Sequence, residues 1–199
     1  DAEIIGDGQA IEWFDLSGIG RSPARFDFAK LDSLNGHYLR RADDAWLLEL
    51  VAPRVEKITG MPLRPEARAR LERGMGGLKE RAKTLRELAD GAAFYARSRP
   101  LQISAKAAEL LAGAEGRLTS LAAALAAESD WTAAALESSV RRFAEAEGVK
   151  LNQVAQPVRA ALTGEGVSPP IFEVMAVLGR EETLGRIEDA SIEKRVAVA

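Results

Sequence analysis

The sequence predicts an all-α protein built from two consecutive helical bundles. Apolar residues recur at the three- and four-residue spacing of amphipathic helices along almost the whole chain. Aromatic residues make up only 6% of the sequence, while alanine is abundant. This composition favours helices packed through small and aliphatic side chains. No pair of segments shows the alternation of a β-hairpin, and 199 residues suffice for one or two domains with a real core.

In chain order the pattern predicts about ten helices, with capping residues at their starts and glycines at several ends. The first are expected over residues 11–16 and 27–40, from Asp43 to a bend or stop near Pro53, and from Pro65 to Leu71. The glycines of 74–77 are expected to interrupt the helical pattern, and a further helix follows to about residue 95. The remaining helices are expected over 104–113, 118–125, 130–147 with Asp130 as the cap, 151–162, 168–178 and 181–190.

The boundary between the two bundles is predicted at Ser98-Arg99-Pro100. A helix cannot continue into the proline there, and the local net charge changes sign. The predicted division is an N-terminal region over 1–43, the first bundle over 44–100, the second bundle over 101–190 and a frayed tail over 191–199.

Composition also narrows the chemistry. The chain has no cysteine, which excludes disulfides and thiolate metal sites and favours a reducing compartment, the cytoplasm. No apolar stretch is long enough to span a membrane. His37 is the single histidine, so most catalytic triads and histidine-based metal sites lack their parts. We therefore predict neither a catalytic site nor a metal site.

A local basic segment stands out against the net charge of −3. Residues 64–86 contain eight basic and three acidic residues, a net charge of +5. Such a segment can bind a polyanion, or it can be the solvated face of a helix; the charges alone do not separate these interpretations.

A helix–turn–helix junction over residues 158–179 is the strongest candidate surface. Arg159 offers a planar fork of donors that can bond a base edge or lie on its face. Ser168 can cap the second helix or contact a base. Pro169 and the proline after it remove two backbone donors, which disfavours a phosphate site and favours a rigid apolar wall beside Ile171. Phe172 is a candidate for the same wall, although its spacing is more typical of a core residue.

Three ordered blocks resemble the C-terminal part of bacterial glutamyl-tRNA synthetases. They are Phe26-Asp-Phe-Ala-Lys-Leu-Asp-Ser-Leu-Asn-Gly-His-Tyr38, Leu78-Lys-Glu-Arg-Ala-Lys-Thr-Leu-Arg-Glu-Leu-Ala89 and the junction at 158–179. The resemblance implies an α-helical cage in which 1–43 belongs to the stem-contact domain and the two bundles bind the anticodon. It also implies a parent enzyme that attaches glutamate to tRNA with ATP and Mg²⁺. The two ATP-binding signatures of that family are absent, so we expect a fragment without cofactor or catalysis.

The resemblance also implies roles for individual residues. Arg159, Ser168, Pro169 and Ile171 match positions that contact anticodon bases. An arginine of the second block identifies the last anticodon base; Lys79 and Arg81 are both candidates, Arg81 is favoured, and either can instead be a solvated cation. Basic residues expected near the tRNA stem are Arg21, Arg25, Lys30, Arg40 and Arg41.

The expected partner is glutamate tRNA, bound by a monomer, with no role for DNA or membranes. Whether the parent enzyme also charges glutamine tRNA stays open. A helical protein-interaction module derived from such a domain is the alternative, and a small-molecule enzyme is disfavoured by the single histidine.

Overall fold

The computed structural model describes residues 4–20 and 25–196, with side chains up to residue 191. Within these ranges the chain forms eleven α-helices, two short 3-10 helices and no strand, so the all-α prediction is confirmed. The α-helices are α1 (Asp7–Trp13), α2 (Phe28–Arg41), α3 (Asp44–Thr59), α4 (Pro65–Lys79), α5 (Leu85–Ala92), α6 (Ala105–Leu111), α7 (Glu115–Ala126), α8 (Ala133–Ala146), α9 (Asn152–Thr163), α10 (Ile171–Leu178) and α11 (Arg180–Val196). The 3-10 helices are Leu16–Gly18 and Ala93–Tyr95. Arg21 and the end of the predicted tail lie outside the described residues.

Several helix ends lie where local signals predict them. The carboxylate of Asp43 accepts a hydrogen bond from the backbone N–H of Trp46 and caps α3. Gly164 ends α9 with φ of 75°, a left-handed conformation that glycine adopts without a steric penalty. The predicted cap at Asp130 is wrong, because Thr132 is the N-cap of α8 and Asp130 instead accepts from its backbone N–H.

Of the bend or stop predicted near Pro53, the stop is wrong, since α3 continues to Thr59. Pro53 lies on the exposed side of α3, while Val51, Ala52 and Val55 on the opposite side are buried. An internal proline costs a helix about 3 kcal/mol. Burial of several aliphatic side chains at about 1.5–3 kcal/mol each outweighs that cost.

Helix α4 is continuous across residues 74–77, contrary to the predicted interruption. A Cβ atom on Gly74 would lie 2.6 Å from the ring of Tyr95, and one on Gly77 would lie 3.4 Å from Cβ of Pro169. These glycines allow close packing of neighbouring elements against an intact helix.

The chain leaves the helical path only after α4, at residues 80–84. Thr84 caps α5 by accepting a hydrogen bond from the N–H of Glu87, and the Glu87 carboxylate accepts from the N–H of Lys83. The Thr-x-x-Glu spacing of a capping box marks this start, with the carboxylate bonding the N–H of the residue before the cap, a signal that the periodicity alone did not reveal.

One hydrophobic cluster runs through both predicted bundles, from Leu39 to Ala190. Side chains of α3, α4 and α5 contribute to it together with those of α7 to α11. The proposed boundary at 98–100 remains a prediction, because the two bundles share this core.

Arg186 joins the bundles inside that core. Its side chain is buried, and its Nη1 donates to the carbonyl oxygens of Phe94 and Leu162 at 3.0 and 2.6 Å. Its Nε donates to Glu182 at 2.7 Å, and Glu182 also pairs with Arg70 of α4 at 3.3 Å. Burial lowers the pKa of the Arg186 guanidinium, and Glu182 counteracts that effect.

Helices α4 and α10 lie side by side in opposite directions. Nη2 of Arg73 donates to the carbonyl oxygen of Val177 at 3.1 Å. One turn later on α4, Gly77 faces Glu173, one turn earlier on α10. This pairing brings the end of α4 next to the loop that precedes α10.

Candidate nucleic-acid interface

An open groove of about 150 Å³ lies where the end of α4, the following turn and α5 meet the loop before α10. The residues lining it are Leu78, Arg81, Ala82, Glu87, Leu88, Gly91, Val167, Ser168 and Pro169. The groove therefore joins the second and third sequence blocks, which are about 80 residues apart in the chain.

Arg159, on α9, holds one wall of this groove in place. Its Nη1 donates to the hydroxyl and carbonyl oxygens of Ser168, at 2.5 and 3.1 Å, and to the carbonyl oxygen of Pro169 at 3.0 Å. Nε and Nη2 of Arg159 donate no hydrogen bond within the described residues. The guanidinium thus fixes the loop with one nitrogen and keeps donors for a ligand.

The base of the loop is anchored independently. The Gly164 carbonyl accepts a hydrogen bond from the N–H of Ser104 at 2.9 Å, and a side chain at this glycine would collide with the backbone of Gln102. The hydroxyl of Thr163 accepts from the N–H of Glu165 at 3.1 Å. The turn after α9 is therefore held by these two hydrogen bonds before it reaches the groove.

Arg81 lies on the opposite wall, in the turn between α4 and α5. It is exposed, and its side chain has no hydrogen-bond or ion-pair partner among the described residues. Burial, and then the positive charge of Arg81, lower the pKa of Arg159. No described carboxylate forms an ion pair with either guanidinium, while Glu87 lines the groove without pairing with Arg81, so the two arginines favour an anionic or acceptor-rich ligand.

Lys79 has a different environment. Its Nζ donates to the carbonyl oxygen of Ala42 at 2.9 Å and pairs with Asp44 at 2.5 Å, and only 16% of its side chain is exposed. This lysine ties α4 to the junction between α2 and α3. Of the two candidates in the second block, the structure therefore brings Arg81, and not Lys79, into the groove.

Ser168, Ile171 and Phe172 are more buried than residues of a solvent-facing wall would be. Ser168 and Ile171 are 5% and 4% exposed, and Ser168 does not cap α10, whose N-cap is Pro170. Phe172 is half-buried against the core cluster, as expected for a core residue. Contact of these side chains with bases stays a prediction, and in this structure Ile171 belongs to the buried core cluster.

Val167 is a groove residue that was not among those predicted from the sequence. It is an apolar residue that lines the groove, and 74% of it is exposed. Its position between Gly166 and Ser168, in a turn that follows a glycine-terminated helix, is the signal that could have identified it.

A family model described as an anticodon-binding domain matches residues 37–191, which contain the whole groove. The chain belongs to this family. This anticodon-binding domain is 56% identical over 192 residues to glutamate–tRNA ligase 2 of Paramagnetospirillum magneticum, and 58% identical over 191 residues to glutamate–tRNA ligase 2 of Rhodospirillum centenum. Each alignment covers 96% of this chain but only 40% and 41% of those proteins.

The fold of this anticodon-binding domain agrees with solved structures. The crystal structure of a glutamate–tRNA ligase from Elizabethkingia meningosepticum superposes with a TM-score of 0.79 at 26% identity, over 96% of this chain and 37% of that one. No helix in the described part of the domain is long and apolar enough to cross a membrane.

Proposed function

We propose that this chain binds the anticodon of glutamate tRNA as part of a glutamate–tRNA ligase. The observation that supports this most strongly is the groove lined by Arg81, whose loop wall is held by Arg159, with no described carboxylate ion-paired to either arginine. Membership of the anticodon-binding domain family and the similarity to glutamate–tRNA ligases support the same ligand.

The groove has the chemistry that unpaired bases require. Sequence-specific RNA recognition uses splayed bases that stack on planar or apolar groups and form hydrogen bonds through their edges. Arg81 provides an exposed fork, and Arg159 provides the donors that it does not use for the loop. Val167 and Pro169, which line the groove together with Arg81, provide an apolar surface. In this proposal Arg81 reads the last anticodon base and Arg159 both holds the loop and bonds a base.

The catalytic part of the proposal concerns the whole protein. The chain spans about 40% of the length of its curated relatives, which are named as glutamate–tRNA ligases. We propose that the remainder of a corresponding whole protein attaches glutamate to tRNA with ATP and Mg²⁺. The 199 residues of this chain would select the tRNA for that reaction, as a monomer in the cytoplasm.

The proposal is tested by titrating the chain into fluorescently labelled stem-loops at low salt. One stem-loop carries the glutamate anticodon, and three others each carry one changed anticodon base. A good directional contact to a base is worth about 1–3 kcal/mol, so we expect a preference of roughly 5- to 150-fold for the glutamate loop. Equal affinity for all four loops would contradict the proposal. RNA-independent binding to a protein partner would favour the alternative interaction module.

Arg159→Ala is expected to weaken binding by roughly 1–3 kcal/mol and to relax the preference. Because Arg159 also holds Ser168 and Pro169, this variant removes a ligand contact and a loop anchor together. Arg81 has no such internal partner and provides the cleaner test of direct recognition.

A further inference from the structure

We infer that Gly77 is a positioning residue whose missing side chain sets the width of the groove between Arg81 and Pro169. This inference rests on the proposed function, since it concerns how the same groove discriminates between bases. It assigns a role in specificity to a residue that contacts no base itself.

The antiparallel pairing of α4 with α10 places Gly77 next to the groove. Arg73 bonds the carbonyl of Val177 at one end of the contact, and Gly77 faces Glu173 one turn further along. The next turn of the same alignment brings Arg81 to Pro169, which both line the groove. The distance between the two helices at Gly77 therefore determines the distance between the two walls of the groove.

Three glycines on α4 have three different surroundings. A Cβ atom on Gly74 would collide with the buried ring of Tyr95. A Cβ atom on Gly76 would meet nothing within 4 Å. A Cβ atom on Gly77 would lie 3.2 Å from Oε2 of Glu173 and 3.4 Å from Cβ of Pro169. Only Gly77 therefore contacts the wall of the groove, and Gly76 offers a matched control on the same helix.

The two neighbours of Gly77 differ in how they can respond to a side chain. Glu173 is exposed, so its carboxylate can rotate away. Pro169 is buried, and Arg159 holds its carbonyl oxygen at 3.0 Å. A side chain larger than a methyl group must therefore move the loop away from α4 and increase its distance from Arg81.

The experiment compares Gly77→Ala and Gly77→Val with Gly76→Ala and Gly76→Val. Each pair has the same change in side-chain size and in helix propensity. The readouts are the ratio of dissociation constants for the glutamate stem-loop and a stem-loop with a changed last anticodon base, and the urea midpoint of each variant. We expect a small loss of preference for Gly77→Ala and a loss of about tenfold for Gly77→Val. Both Gly76 variants should keep the wild-type ratio.

A purely structural role for Gly77 would lower the urea midpoint, or weaken both stem-loops equally, and leave the ratio unchanged. That result, with a clear preference in the wild type, would overturn the inference alone. Absence of a preference in the wild type would refute the proposed function and this inference with it. If Gly77→Val does not fold, the Gly77→Ala and Gly76→Ala pair decides, and equal ratios in that pair overturn the inference.

Discussion

Replacing Arg186 with methionine removes the charge that links the two halves of the core. Methionine retains much of the length of the side chain and its apolar contacts but none of its donors. The carbonyl oxygens of Phe94 and Leu162 lose their bonds to Nη1, and Glu182 loses one of its two arginine partners. The variant therefore isolates the polar contribution of this buried group.

The structure sets the expected magnitude. Each buried acceptor left without a donor costs about 1–3 kcal/mol. Glu182 keeps Arg70 at 3.3 Å, so it is not left without a counter-charge. We expect the free energy of unfolding to fall by about 3–5 kcal/mol, the range for breaking a buried pair. With a urea slope of about 2.5 kcal/mol/M, the midpoint should fall by roughly 1.2–2 M.

Arg141→Met is the matched control. Arg141 pairs with Glu137 four residues earlier on α8, just as Arg186 pairs with Glu182 on α11, and the distances are 2.6 and 2.7 Å. The side chains of the control pair are 54% and 42% exposed, against 0% and 18% for Arg186 and Glu182. An exposed helical pair is worth about 0.3–0.5 kcal/mol, so this midpoint should move by only about 0.2 M. Equal shifts in the two variants would refute the reasoning from burial.

Three further predictions concern stability. Gly74→Ala should lower the urea midpoint because its Cβ would meet the buried ring of Tyr95, although alanine is the better helix former by about 1 kcal/mol. Gly76→Ala should raise the midpoint, because its Cβ would meet nothing within 4 Å. The opposite order of the two midpoints would contradict the packing described for these glycines. Burial raises the pKa of Glu182, but its two arginine partners outweigh this and lower it. Its contribution to stability is therefore complete above the ordinary glutamate pKa and is lost as the pH falls through the lowered value. Urea titrations at about pH 7 and about pH 3 should show a larger loss in the free energy of unfolding for wild type than for Glu182→Gln. Equal losses in the two proteins would contradict this prediction. Lys79→Met should lower the thermal midpoint without changing anticodon preference, whereas a changed preference at unchanged stability would assign the base contact to this lysine.

Local chemistry explains which parts of the fold were predictable from the sequence. The cap at Asp43 and the left-handed end at Gly164 depend on residues that are adjacent in the chain, so their signals can be read directly. Pro53 and Gly77 were misinterpreted because their effect depends on which side of the helix is buried and on what approaches it. That information comes from elements distant in sequence.

The candidate site divides in the same way. The sequence identified Arg81 and Arg159 in separate blocks, but only the pairing of α4 with α10 shows that Arg81 lines the groove whose loop wall Arg159 holds. The burial of Ile171 and the internal bonds of Ser168 follow from how α10 packs, which periodicity does not reveal. Val167 escaped notice because a single apolar residue in a turn carries no periodic signal.

The central claim is that the groove reads anticodon bases through its arginines, and Arg81→Ala tests it most directly. Arg86→Ala is the control, because Arg86 belongs to the same basic segment and is exposed but does not line the groove. The measurement is the ratio of dissociation constants for the glutamate stem-loop and a stem-loop with a changed last anticodon base. Wild type and Arg86→Ala should show the same preference for the glutamate stem-loop. In Arg81→Ala the preference should fall by a factor of roughly 5 to 150. An unchanged ratio in Arg81→Ala, or equal losses in both variants, would contradict the account.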